Sequence, residues 1–336
     1  MLPFISICTP TFNRRPFIPY MVKCFEHQTY PKDRMEWLIL DDGSDKIGDL
    51  VKHIPQVKYI PQDKQTILGE KRNILNEMAI GDIIIYMDDD DYYPPNRVSH
   101  AVETLLDNPN ALCSGSSIVY IYFKSLNKIY QFGPYGPNHS TAATFAFRSS
   151  LLYTSKFNNN EAISEEKSFL NNYTIPFVQL DPFKSILVFS HEHNSVNKEM
   201  LLMNAHPDFV KETSLIVEDF IEDSDMRDFY MNRIVELLKI YEPGRPEGKP
   251  EVMKQIRDKL NGIKEIQDKN TKQDNIIREK ISIKIGDEPP KSLTIQEVVN
   301  ILQQQHSHII QLNELLKGKD MEIELLLTML DKCKKV

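Results

Sequence analysis

Cysteine is scarce: the four residues Cys8, Cys24, Cys113 and Cys333 stand in 336 without a C-x-x-C spacing. That pattern excludes a zinc ribbon and a disulfide framework, and it makes a reducing compartment the default. Long apolar runs are also missing. No stretch approaches the roughly 18 to 20 residues needed to cross a bilayer. The apolar opening MLPFISICTPTFNRR is short, lacks a basic lead and meets charge without a small-residue cleavage site, so Phe4 to Cys8 reads as a strand and not as a signal peptide. A basic stripe is absent as well: 48 acidic against 40 basic residues leave a net charge of -8, which speaks against a general nucleic-acid binder. The expectation is a soluble, cytoplasmic protein. The abundance of Ile, Lys, Asn and Asp suits an AT-rich genome such as that of a large DNA virus, in which case the compartment is the host cytoplasm.

What is present is a chain that is 41% hydrophobic, enough for a substantial core in one large domain plus an appendage. FISIC, an amphipathic stretch from Phe17 to His27, EWLILDD, QVKYI, a helical pattern from Gly69 to Met78 and DIIIYMDD follow one another in the rhythm of βαβ units on a mainly parallel sheet. WLILDD and IIIYMDDDD both end in carboxylates. In open α/β sheets ligands sit beyond the carboxyl ends of strands, so two acidic strand ends imply one shared cleft. Four adjacent carboxylates (Asp88 to Asp91) repel one another, and a cation or a proton would relieve them.

From Val98 to Asn197 the pattern continues with a helix, the strand SIVYIYF, a Gly/Pro-rich loop QFGPYGPNHS, a strand TAATFAFR, a short helix SEEKSFLNN and a final strand KSILVFSHEHN. From about His206 the spacing turns helical, breaks at YEPGRPEGKP and resumes. Thr294 followed by Glu297 signals a capped helix start. From Ile295, the a and d positions of a heptad are Ile295, Val298, Leu302, Gln305, Ile309, Leu312, Leu316, Lys319, Ile323, Leu326 and Leu330, nine of eleven apolar. Such a seam suits a coiled coil and a homo-oligomer, whereas folding back on the first domain is the competing use. The expected divisions are 1–205, a helical extension 206–288 and a C-terminal coiled-coil-like segment 289–336.

PFISICTPTFNRR, WLILDDGSD, GEKRN and YMDDDDYYPP, in that order, resemble the nucleotide-sugar-binding half of a family 2 glycosyltransferase of GT-A fold, over about residues 3 to 200. The resemblance implies an α/β, Rossmann-like, mainly parallel sheet followed by helices, and inverting transfer from a nucleotide-diphospho-sugar, commonly a UDP-sugar, to a glycan, protein or small-molecule acceptor. It implies Mn²⁺ or Mg²⁺ at a DxD pair, with Asp90 as metal ligand and Asp88 near the ribose or the metal. Asp89 is counted with the donor contacts, although strand alternation turns it away. Thr9, Pro10 and Thr11 match the segment around base and ribose, Asp42 (or Asp41) the base contact, and Arg72 (or its neighbour Lys71) the basic residue near base or diphosphate. The general base falls on Glu166 or Glu165, where the family more often has Glu-Asp, and Glu166 aligns with the second acid. His191, then His193, matches a histidine completing the metal or diphosphate site. A nucleotidyltransferase is the enzymatic rival, but TPTFNRR has no glycine for a phosphate loop. A degenerate scaffold binding through its C-terminal helices is the other.

Overall fold

The computed structural model describes residues 2–203, 206–277, 281–284 and 291–333. One compact unit covers Met1–Asp258 and a second Lys259–Val336. The first unit therefore extends past the division expected at 205. Val217, Phe220, Phe229, Tyr230 and Leu238 lie in the same apolar core as the first strand.

The chain enters through β1 (Ile5–Thr11), whose residues are all buried. Buried on both faces, it has no solvent-facing polar row, and its polar side chains Ser6 and Thr9 donate to Glu36 and to the Met87 carbonyl. Next come α1 (Ile18–Glu26), β2 (Met35–Asp41), α2 (Gly48–Val51), β3 (Val57–Pro61), α3 (Leu68–Met78), β4 (Ile83–Tyr86) and α4 (Arg97–Asp107). After these follow β5 (Cys113–Gly115), β6 (Val119–Phe123), β7 (Lys128–Phe132), β8 (Ala146–Arg148), α5 (Glu166–Phe169), β9 (Phe177–Gln179), β10 (Leu187–Ser190) and α6 (Lys198–Met203). The larger sheet has the order β3-β2-β1-β4-β8-β5-β9, with β8 antiparallel to its neighbours. This mainly parallel α/β architecture followed by helices is the class expected from the sequence.

A second sheet, β10-β6-β7-β11, places β11 (Val210–Glu212) on the free edge of β7. VKE is thus a strand, where the spacing predicts a helix. Its side chains follow a sheet edge that the local pattern does not encode. Likewise TAAT is a 3-10 turn, and only Ala146–Arg148 of that stretch is strand. The helical run begins later, as α7 (Ser224–Asp228), a π turn and α8 (Ile234–Ile240), with Asp223 accepting from the amides of Asp225 and Met226.

Helix α9 spans Pro250–Ile277. In the second unit β12 (Ile281–Ile283) pairs with β13 (Lys291–Leu293), and α10 runs Ile295–Cys333. Its start is capped as expected: Glu297 Oε2 accepts from the Thr294 amide at 2.7 Å, and Thr294 Oγ1 from the Glu297 amide at 3.3 Å. Leu302, Ile309, Leu312, Leu316 and Ile323 are exposed on this helix. The side chains of Ile295, Leu326 and Leu330 lie outside the described residues.

Candidate functional site

The carboxyl ends of β1, β2 and β4 meet because β1 pairs in parallel with both neighbours, bringing Thr11 beside Asp41 and Cys8 beside Tyr86. Past β4 the four aspartates part. Asp88 and Asp90 retain some exposure, with side chains 27% and 16% accessible, whereas Asp89 and Asp91 are buried. Asp91 faces the second sheet, where Oδ1 accepts from the Phe189 amide at 3.2 Å, and burial raises its pKa well above the usual range. It is a structural acid.

Asp88 faces Arg72, which is buried on α3. The guanidinium lies 3.5 Å from Asp88 Oδ1 and donates through Nε to Glu165 Oε1 at 2.9 Å, with its flat face 4.4 Å from the Tyr86 ring centroid. One cation thus joins the aspartate loop to the start of α5. Burial, offset by Arg72, raises the pKa of Asp88. Glu165 is inside this network, while Glu166 is half-buried, and burial first and then the Glu166 charge raise the pKa of Tyr173. Ser164, at φ 58, is left-handed, and Glu165 occupies the cap position.

Asp89 and Asp90 share Arg14, whose Nε lies 3.6 and 3.5 Å from their oxygens. Arg14 also donates to the carbonyls of Gly244 (3.0 Å) and His193 (2.7 Å), so it ties three loops together. Asp90 Oδ2 is 3.2 Å from His191 Nε2, and Asn194 holds the histidine through both its backbone amide (2.9 Å) and Nε2 (2.8 Å). Burial pushes His191 down to about 4, leaving a neutral imidazole at neutral pH. Burial alone would raise Asp90, but contact with His191 and Arg14 outweighs it and holds that carboxyl well below the usual range. Asp89, desolvated and repelled by Asp90, is pushed up to about 7. His193 points elsewhere, wholly buried with its ring 6.2 Å from Tyr241.

Residues 6–160 match the family model for glycosyl transferase family 2. Over these residues the sequence is that of a family 2 glycosyltransferase domain. Among similar curated proteins, the putative colanic acid biosynthesis glycosyl transferase WcaA of Escherichia coli is 33% identical over 102 residues, covering 29% of this chain and 36% of that one. The GalNAc(5)-diNAcBac-PP-undecaprenol beta-1,3-glucosyltransferase of Campylobacter jejuni is 31% identical over 116 residues, 32% of this chain and 35% of that one. These matches span about a third of the relatives' own length. A mannosyltransferase from Pyrobaculum calidifontis, solved in complex with GDP-Man and Mn2+, superimposes with a TM-score of 0.47 at 15% identity over 58% of this chain and 59% of that one.

Within the glycosyltransferase domain, the other sequence candidates have internal partners. Thr9 is buried; it donates to the Met87 carbonyl at 2.7 Å and accepts from Trp37 at 2.9 Å, fastening β1 to its neighbours. Pro10 and Thr11 are buried at the strand end, and the Thr11 carbonyl accepts from Lys71 at 3.1 Å. Asp41 closes the DGS turn by accepting from the amides of Gly43 (2.9 Å) and Ile47 (3.0 Å) and from Tyr59 (2.6 Å). Asp42 forms a buried ion pair with Lys71 and accepts from the Thr66 amide at 2.7 Å.

Sequence reading missed Arg14, inside the matched residues, and Asn194 and Lys249, beyond them. Lys249 donates to Ser195 Oγ at 2.7 Å and sits 5.7 Å from the Phe12 ring centroid; burial first, then Arg14, pushes it down to about 7. The first arginine of TFNRR and the lysine of PEGKP carried no spacing that separates them from surface charge.

Among the described residues no group of three His, Cys, Asp or Glu side chains is set as a metal site. Two ligand atoms each about 2.1 Å from an octahedral ion lie about 3 Å apart. The 3.2 Å between Asp90 Oδ2 and His191 Nε2 fits one such edge, and an ion there would displace the Asn194 side-chain amide nitrogen that now meets Nε2. An ion held on that edge would take its remaining ligands from outside the protein, as Mg²⁺ commonly does. Asp88, turned to Arg72, stands beside this pair.

Proposed function

We propose that the protein is a metal-dependent inverting glycosyltransferase that moves a sugar from a nucleotide-diphospho-sugar of the UDP type to an acceptor hydroxyl. The observation that carries this reading is the Arg72 bridge between Asp88 and Glu165, which brings the acidic loop and the paired glutamates into one network. Asp90 and His191 would hold Mn²⁺ or Mg²⁺, which neutralises the diphosphate as it leaves.

The residues divide the work. Asp42, steadied by Lys71 and Thr66, meets the base, and the strand end Thr9-Pro10-Thr11 forms the floor beneath the nucleoside. Asp88 faces the ribose, and Asp89 positions Arg14. The buried cations Arg14 and Lys71, with Lys249, set positive charge around the diphosphate. Glu166 takes the proton of the acceptor hydroxyl as its oxygen attacks the anomeric carbon, while the bond to the diphosphate breaks and its electron pair stays on the leaving oxygen. Attack from the face opposite the leaving group inverts the anomeric centre. Glu165 acts through Arg72 to fix the start of α5.

Calorimetric titration of UDP with and without Mn²⁺ tests the reading. The expected result is metal-dependent binding that Asp90→Asn loses. UDP binding that ignores the metal, or that persists unchanged in Asp90→Asn, overturns it.

A further inference from the structure

Beyond the residues that match the family, the run from Gly244 to Gln255 ties the two ends of the site together, touching a different loop at each anchor. The Gly244 carbonyl accepts from Arg14 Nη1 at 3.0 Å, and the Gly248 carbonyl from Gln65 Nε2 at 3.2 Å. Lys249 donates at 2.7 Å to Ser195 Oγ, next to the Asn194 that holds His191. Its Nζ lies 5.7 Å from the centroid of the Phe12 ring, which has Lys71 Nζ at 5.9 Å, so two cations meet one ring just past β1. Gln255 ends the run: Oε1 accepts from the Ala162 amide at 2.9 Å, and Nε2 donates to the Asn160 carbonyl at 2.7 Å. Glu165 follows Ala162 by three residues.

The loop that receives Gln255 is clamped on its other side by α3. Asn73 donates to the Phe157 carbonyl at 2.8 Å and accepts from the Phe157 amide at 3.0 Å, while the Gly69 amide donates to the Glu161 carbonyl at 2.9 Å. A Cβ on Gly69 would lie 2.1 Å from the Asn158 carbonyl oxygen, so helix and loop are in direct contact. That clamp sits on a helix packed against β1 and β2. The opposite clamp is less fixed. Of residues 250–258 only Val252 is buried, so the start of α9 is held on the domain mainly by polar contacts, the kind of attachment that shifts at low cost. Lys249 immediately precedes α9, and Gln255 follows it by less than two helical turns. A stretch of helix that short moves as one piece.

We propose that Gln255 is a positioning residue that couples the donor end of the site to the loop before the paired glutamates. A nucleoside diphosphate that engages Lys249 displaces the first turns of α9, and Gln255 passes the shift to the main chain at Asn160 and Ala162. Glu166 is thereby set for the acceptor only once a donor is bound. The inference rests on the glycosyltransferase reading above.

The test is amide hydrogen exchange, read by mass spectrometry on peptides covering 157–166 of the full chain, with and without saturating UDP and Mn²⁺. Wild type is compared with Gln255→Met, which keeps side-chain length and helix propensity but loses both hydrogen bonds, and with the exposed neighbour Lys254→Ala as control. Gln255→Ala repeats the measurement should the methionine variant melt below wild type. The expected result is exchange at least about fivefold slower with nucleotide in wild type and control, and a ratio near one in the Gln255 variants at unchanged UDP affinity. A contact that merely holds the loop would speed exchange equally in both states and leave the ratio intact. That outcome, or a wild-type loop indifferent to UDP, overturns the inference. Calorimetric titration of the same preparations keeps the two readings apart: UDP binding without a loop response removes the coupling alone, whereas absent UDP binding removes the proposed function.

Discussion

Arg72 touches two carboxylates, and that fixes what each glutamate can contribute. Glu165 is buried against the guanidinium, so Glu165→Gln leaves a buried cation short of a partner and should lower the melting temperature as well as activity. Glu166→Gln should melt like wild type and bind UDP normally while losing about 100-fold or more in kcat. A Glu166→Gln enzyme with full kcat would hand the base role to Glu165. The Asp42–Lys71 pair, with both side chains nearly inaccessible, makes a second case. Lys71→Met strands a buried carboxylate and should cost about 3–5 kcal/mol in denaturant unfolding, much of it restored by adding Asp42→Asn. Strand alternation predicts that Asp89 turns away from Asp90, yet the aspartates lie past the end of β4 at Tyr86, where the loop sets their directions and both reach Arg14. Arg14 was not legible, since its partners His193 and Gly244 are 179 and 230 positions away.

At the scale of elements, β1, β2, β4 and the helices between them were readable because long buried strands and amphipathic helices carry their own periodicity. The stretch 242–249 read only as a break. In the structure it crosses the end of β1, where Gly244 at φ 86 comes so close that a Cβ would lie 2.2 Å from the Asn13 carbonyl oxygen, and it brings Lys249 beside the acidic loop. Lys249 is cationic below about 7 and loses that charge as pH rises through it, while Asp89 gains negative charge over the same range. Both changes weaken the hold on a diphosphate. UDP affinity should therefore fall as pH rises through about 7, and Lys249→Arg, always charged, should flatten the decline. Equal pH dependence in the two proteins would exclude Lys249 from the diphosphate site.

For the whole molecule, the C-terminal unit raises the question of assembly. Apart from the half-buried Val298, the seam positions described on α10 are exposed, as a helix awaiting a partner requires. We expect a chain truncated before Thr294 to show a lower mass in light scattering than the full chain. Equal masses would leave the seam without a role in self-association. No helix among the described residues is long and apolar enough to cross a membrane.

The hydrogen bond from Arg14 to Gly244 also bears on how the protein is made. The part of the chain that matches the family ends at residue 160, yet the arginine that steadies its acidic loop finds its last partner only at 244. On the ribosome, the strands would be complete well before the site they frame. A nascent chain stalled short of that glycine would display the family's motifs without the clasp that sets them, so the ability to hold a donor should arrive late in synthesis, and all at once.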